Sequence, residues 1–128
     1  MAFTASPTSR GTYQPEQPVI FDNVISNFGS AFDPQSSVFT CPVTGVYMFS
    51  VHLMGLAGSH AQVALFVDAG VVFQVISDNI RGAYNPASNV AFASCYQGQS
   101  VWIKTFLRSN QQIYEYSYTS FSAMLMST

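Results

Sequence analysis

The sequence predicts an all-β sandwich. Short apolar-alternating runs recur along the 128 residues, turn residues separate them, and no segment sustains a helical period. The clearest run is Val46–Leu53, with Tyr47, Phe49, Val51 and Leu53 on one face and Val46, Met48, Ser50 and His52 on the other. The first face is heavy and apolar, as a core demands. The second is smaller, mixed and uncharged. An outer face without charge needs a cover, which another copy of the chain would supply.

The elements follow in order. A strand is expected over Ala2–Ala5, then a polar surface loop from Pro7 to Pro18 containing Gly11 and Pro15. Short strands follow at Val19–Phe21 and Val24–Asn27. The strand Ser37–Cys41 stops at Pro42, which cannot donate a ladder hydrogen bond, and a turn at Gly45 leads into Val46–Leu53. Ala61–Val67 and Val71–Ile76 form a hairpin about Asp68-Ala69-Gly70. Ser88–Cys95 and Val101–Leu107 are separated by the turn Gln97-Gly98-Gln99, and Tyr118–Met126 closes the set. Two long connections, Ser77–Ala87 and Arg108–Ser117, carry most of the polar variety. Phe3, Phe21, Phe39, Tyr47, Phe49, Val63, Leu65, Phe121 and Leu125 are the expected core, so most of the phenylalanines are structural. Residues 1–128 read as a single domain without internal repeats.

Composition narrows the function. With 48% hydrophobic and 15% aromatic residues the chain is globular. Only 8% of residues are charged and the formal charge is -2, which leaves no electrostatic footprint for nucleic acid or an anionic membrane surface. A surface built of hydroxyls and amides suits neutral polar ligands such as sugars, but burial between subunits is the favoured reading, since apolar exposure usually marks a protein interface. No apolar run is long enough to span a membrane, and Met1–Ser6 lacks the basic-then-apolar order of a signal peptide. Cys41 and Cys95 read as buried inert thiols, a disulfide between them being the other reading. His52 and His60 have no nucleophile motif beside them, so no enzyme is expected; His60 reads as a solvated loop residue.

The order of these segments is informative. Phe3-Thr4-Ala5 is followed by Pro18–Val24 with Asn27, and then by Phe32-Asp33. The block Phe39-Thr40-Cys41-Pro42-Val43-Thr44-Gly45-Val46-Tyr47-Met48-Phe49 comes next. Gly98-Gln99-Ser100-Val101-Trp102 and Ser120-Phe121-Ser122-Ala123-Met124-Leu125 complete the order. This arrangement resembles the globular head domain of complement component 1q along the whole chain. The tumour necrosis factor ligands share its jelly roll. Three positions depart from the family pattern: Gln99 stands for Asp, Asp68-Ala69-Gly70 for an Asn-Gly hairpin, and Ala123 for Gly. No collagen-like Gly-X-Y run precedes the head, which implies a head-only protein or a head cut from a longer chain.

The resemblance implies a ten-strand, two-sheet jelly roll assembling as a homotrimer. The subunit interface would then be Val46, Met48, Ser50, His52, Val90, Phe92, Ser94, Tyr118, Ser120, Ser122 and Met124. It implies a secreted, extracellular recognition module: a lectin of innate immunity that binds microbial glycans or lipopolysaccharide, or alternatively a ligand or structural module that engages a protein receptor. The loop residues expected to touch a ligand are Asn79, Arg81, Tyr84 and Asn85 in one connection, and Arg108, Asn110, Gln111, Tyr114 and Tyr116 in the other. Some members hold calcium with an Asp ahead of an Ala-Ser-Gly segment. The matching stretch here has Asn85 in that place and Asp78 as the nearby acid, so no cofactor is expected.

Overall fold

The computed structural model describes residues 1–79, 81–82, 84–106, 111–115 and 118–128. Among them the strands in chain order are β1 (Ala2–Ser6), β2 (Gly11–Tyr13), β3 (Asn23–Phe28), β4 (Phe32–Asp33), β5 (Val38–Thr40) and β6 (Gly45–Leu53). They continue with β7 (His60–Val67), β8 (Gly70–Asp78), β9 (Ala87–Cys95), β10 (Ser100–Thr105), β11 (Gln111–Ile113) and β12 (Ser120–Ser127). Two five-stranded sheets, ordered β3-β1-β12-β6-β9 and β4-β5-β10-β7-β8, make the jelly-roll sandwich, and a two-stranded ribbon joins β2 to β11. Every pairing is antiparallel.

The core between the sheets is aromatic. Phe3 stacks on Phe32 with centroids 4.4 Å apart and meets Phe121 edge-on at 4.9 Å, while Phe121 reaches Phe21 at 5.6 Å. Phe39 packs edge-on against Tyr47 and Phe49. Such pairs add about 0.5–1.5 kcal/mol each to the burial they bring. Gly45 is required where β6 begins, because a Cβ there would stand 2.5 Å from the Ser127 carbonyl oxygen of the neighbouring strand. Ala123, the methyl in place of the family's Gly, is accommodated in the core at 2% exposure.

The other two departures from the family pattern touch each other. Asp68 takes a left-handed φ of 52° at the β7–β8 hairpin. Its carboxylate accepts from the Ser100 amide at 2.9 Å and from Gln99 Nε2 at 3.1 Å, and Trp102 Nε1 donates to its carbonyl at 3.1 Å. Gln99 thereby ties one turn to the next.

The structure corrects four expectations. Val19–Phe21 is not a strand: Val19 and Phe21 are buried, but Pro18 has no N–H, and the segment is pinned by Val19 N to the Ile103 carbonyl at 2.9 Å and Phe21 N to Ser37 Oγ at 2.7 Å. The two presumed loops Pro7–Pro18 and Arg108–Ser117 each contribute a strand, because β2 and β11 pair with each other. Leu125 is only half-buried, beside the register shift that lets β12 pass Gly45. His60 opens β7 half-buried, its Nδ1 3.6 Å from Asp78 Oδ1, and is not a loop residue.

Candidate functional site: a charge-free sheet face and the cleft at its end

The register of the first sheet aligns its outward residues into rows that cross several strands. One row runs Phe28, Ala2, Met124, Met48, Phe92, and the next runs Ser26, Thr4, Ser122, Ser50, Val90. His52 lies between Ser120 and Ser88, and Val46 between Ser127 and Ser94. None of these residues carries a carboxylate, an ammonium or a guanidinium group. Phe92 is 63% and Phe28 68% exposed, with Val90 and Met124 exposed between them. The hydroxyl row is partly self-satisfied, since Thr4 Oγ1 and Ser122 Oγ are 2.9 Å apart. Val46, Met48, Ser50, His52, Val90, Phe92, Ser94, Ser120, Ser122 and Met124 all lie on this face. Tyr118 precedes β12, and its ring stands 5.4 Å from that of Tyr114 at the end of this face.

Where β6 ends and β12 begins, five separate segments form a cleft of about 500 Å³ lined by Arg10, Met54, Tyr84, Tyr114, Glu115 and Tyr118. The Tyr114 ring is central, 6.0 Å from Tyr84 and 5.4 Å from Tyr118. The Arg10 guanidinium lies 4.7 Å over the Tyr114 ring and donates through Nε to both Glu115 carboxylate oxygens, at 3.0 and 3.2 Å. The Tyr114 and Tyr84 hydroxyls are 3.4 Å apart, and this hydrogen bond, before any burial, holds the Tyr114 pKa above the usual phenol range. The bond to Glu115 raises Arg10 above the ordinary guanidinium value. Tyr114 owes its position to the extension of β11: its amide donates to the Met54 carbonyl at 2.9 Å, next to the Gly55–Ile113 bridge.

The expected ligand residues divide sharply. Tyr84 and Tyr114 line the cleft. Arg81 and Asn85 are exposed outside its lining, and Asn85 Nδ2 donates to the Asp78 carbonyl at 2.8 Å. Asn79 and Gln111 were expected to meet a ligand and are instead buried, at 1% and 0% exposure. Asn79 clamps the loops beneath the cleft, its Oδ1 accepting from the Asn85 amide at 2.6 Å while its Nδ2 donates to the Gly55 carbonyl. Gln111 Oε1 accepts the Gln62 amide at 2.6 Å and so fastens the ribbon to β7. Both hold backbone that would otherwise lack partners. Arg108, Asn110 and Tyr116 lie outside the described residues. Arg10, Met54 and Glu115 were not foreseen, and only the topology brings them together.

A hard cation needs several converging oxygens. Asp78 faces His60, Asn85 presents a donor toward Asp78, and the described residues contain no cluster of three or more His, Cys, Asp or Glu. Cys41 and Cys95 are free and buried. Burial first, and then a hydrogen bond with Cys41, pushes the Cys95 thiol up to about 12. Among the described residues no helix is long and apolar enough to cross a membrane.

Known proteins match this geometry closely. The globular domain of zebrafish complement 1qA superposes with a TM-score of 0.82 at 25% identity, covering 98% of this chain and 96% of that one. Caprin-2 of Danio rerio is 33% identical over 132 residues, covering 98% of this chain and 14% of its own length. The collagen alpha-1(X) chain of Mus musculus is 29% identical over 111 residues, covering 85% of this chain and 16% of its own. The chain thus spans only a small part of these curated relatives. The C1q domain family model matches residues 2–126, and the chain belongs to that family, whose C1q/TNF-like domains are non-enzymatic binding modules that form trimers.

Proposed function

We propose that this chain is a homotrimeric recognition head that binds microbial glycans, lipopolysaccharide among them, as an extracellular lectin of innate immunity. One juxtaposition supports it: a charge-free face wide enough to seat sister subunits ends at a tyrosine-lined cleft. The face has the character of a homo-oligomer core, with aromatic residues, methionines and hydroxyls and no charges. Three subunits then carry three clefts on one rigid body. Sites of millimolar strength gain about 10²–10⁴ in avidity when engaged together, without any new contact.

The test is a glycan array probed with the native oligomer and, beside it, with the Phe92→Arg monomer. The proposal expects binding by the oligomer that free monosaccharide competes away and that the monomer lacks. An oligomer that binds no printed glycan would overturn the lectin reading and favour a protein ligand instead.

A further inference from the structure

The cleft also indicates what kind of group it takes; this step rests on the glycan reading above. Its charges are already spent on each other. Arg10 sits on Glu115, so the wall offers no surplus positive charge to a phosphate or carboxylate. A cation would have to compete with Arg10 for the Tyr114 face and for the Glu115 carboxylate. Left available are the rings of Tyr84 and Tyr118, at 58% and 55% exposure, and the Met54 side chain in the wall. Around them stand phenol hydroxyls that both donate and accept, a carboxylate that accepts, and a guanidinium with four N–H groups besides its Nε. A wall with flat apolar faces and a mixed donor–acceptor rim complements a ring with one C–H face and a border of hydroxyls. The volume lies within the range of small-molecule sites, roughly 300–1,000 Å³.

We propose that this cleft is a subsite for one neutral hexopyranose ring, stacked on the tyrosines with its hydroxyls on the Arg10–Glu115 pair. Charged parts of a glycan, such as phosphates or sialic acid carboxylates, would lie outside it.

The methionines make the test direct. Met54 lines the cleft, while Met1 and Met126 are outside its lining and act as internal controls. The whole protein, labelled with ¹³C at the methionine methyls, is titrated separately with methyl β-galactopyranoside, methyl α-mannopyranoside, choline, inorganic phosphate and N-acetylneuraminic acid. The expected result is a saturable millimolar shift of the Met54 methyl with at least one neutral pyranoside, with Met1 and Met126 unmoved. Tyr118→Ala should weaken that shift at least tenfold and Tyr118→Phe should largely restore it. Choline, phosphate or the sialic acid moving Met54 while the pyranosides do not would overturn the assignment. So would a Met54 signal silent to every probe. If Met54 is silent while the array is positive, the subsite is wrong and the lectin reading survives; if both are negative, both fall.

Discussion

β6 and β7 are interior strands of opposite sheets with similar length and similar apolar content, yet they end in different surroundings. β7 is buried along nearly its whole length. Val63 and Leu65 face the core, while Gln62, Ala64 and Phe66 are covered on the outside by the chain itself. Lys104 lies 4.5 Å over the Phe66 ring and pairs with Glu16 at 2.8 Å, and the Phe106 amide donates to the Gln62 carbonyl at 2.9 Å. β6 buries only alternate residues, and its outer row of Val46, Met48, Ser50 and His52 has no such cover. One uncharged strand face is sealed within the subunit. The other has no such cover among the described residues, and that contrast, more than low charge alone, favours the proposed use of the first sheet in assembly.

The contrast can be broken in stages. The largest effect should come from Ala64→Arg, which places a second cation directly opposite Lys104 on the sealed face of β7 at a fully buried position. An uncompensated buried charge costs roughly 3–5 kcal/mol, so thermal unfolding of this variant should shift down by many degrees or the fold should be lost. A charge on the open face behaves differently. Ser50→Asp and Phe92→Arg should leave a folded subunit, judged by circular dichroism, while light scattering reports a mass fallen to that of one chain. An unchanged mass for both would remove the first sheet from the interface.

A third effect lies in the core beneath the first sheet and separates fold from assembly. Cys95, raised to about 12 from an ordinary value of 9.0, is protonated in the folded state at pH values where the unfolded chain has ionised it. Tyr47 is likewise pushed up to about 12, by burial first and then by Cys41. Groups raised in this way stabilise the fold fully below their unfolded pKa, and that contribution is lost as pH climbs through the folded value. The melting temperature should therefore hold steady to about pH 9 and fall toward pH 12, with thiol reagents slow on the native protein. A flat melting curve through pH 11 would contradict the burial of these groups. The smallest effect is Tyr47→Phe, which removes the 2.6 Å bond to the Val43 carbonyl and should cost about 1 kcal/mol without altering the oligomer.

Much of the sandwich could be read from the sequence because its long strands advertise themselves. Tyr47, Phe49, Val51 and Leu53 alternate without interruption, and Asp68-Ala69-Gly70 is the turn it looks like. β2 and β11 gave no such signal, since three-residue strands have no period to detect and their partners lie about a hundred residues apart. The cleft was half legible. Tyr84 and Tyr114 stood out as exposed aromatics in polar connections, but Arg10, Met54 and Glu115 converge only through the fold. Asn79 and Gln111 misled for a specific reason: a polar side chain in a connection looks the same in sequence whether it meets a ligand or satisfies a buried backbone.

The position of β12 has one more consequence, for the order of events during synthesis. It lies between β1 and β6, and it follows all the other strands along the chain. Until it leaves the ribosome, β1 and β6 have no common neighbour, and the rows through Met124, Ser122 and Ser120 are incomplete. On the proposed assembly, a nascent head therefore holds an unfinished face, and sister heads can dock only after β12 of each has emerged and paired. The topology thus makes partnership wait for completion.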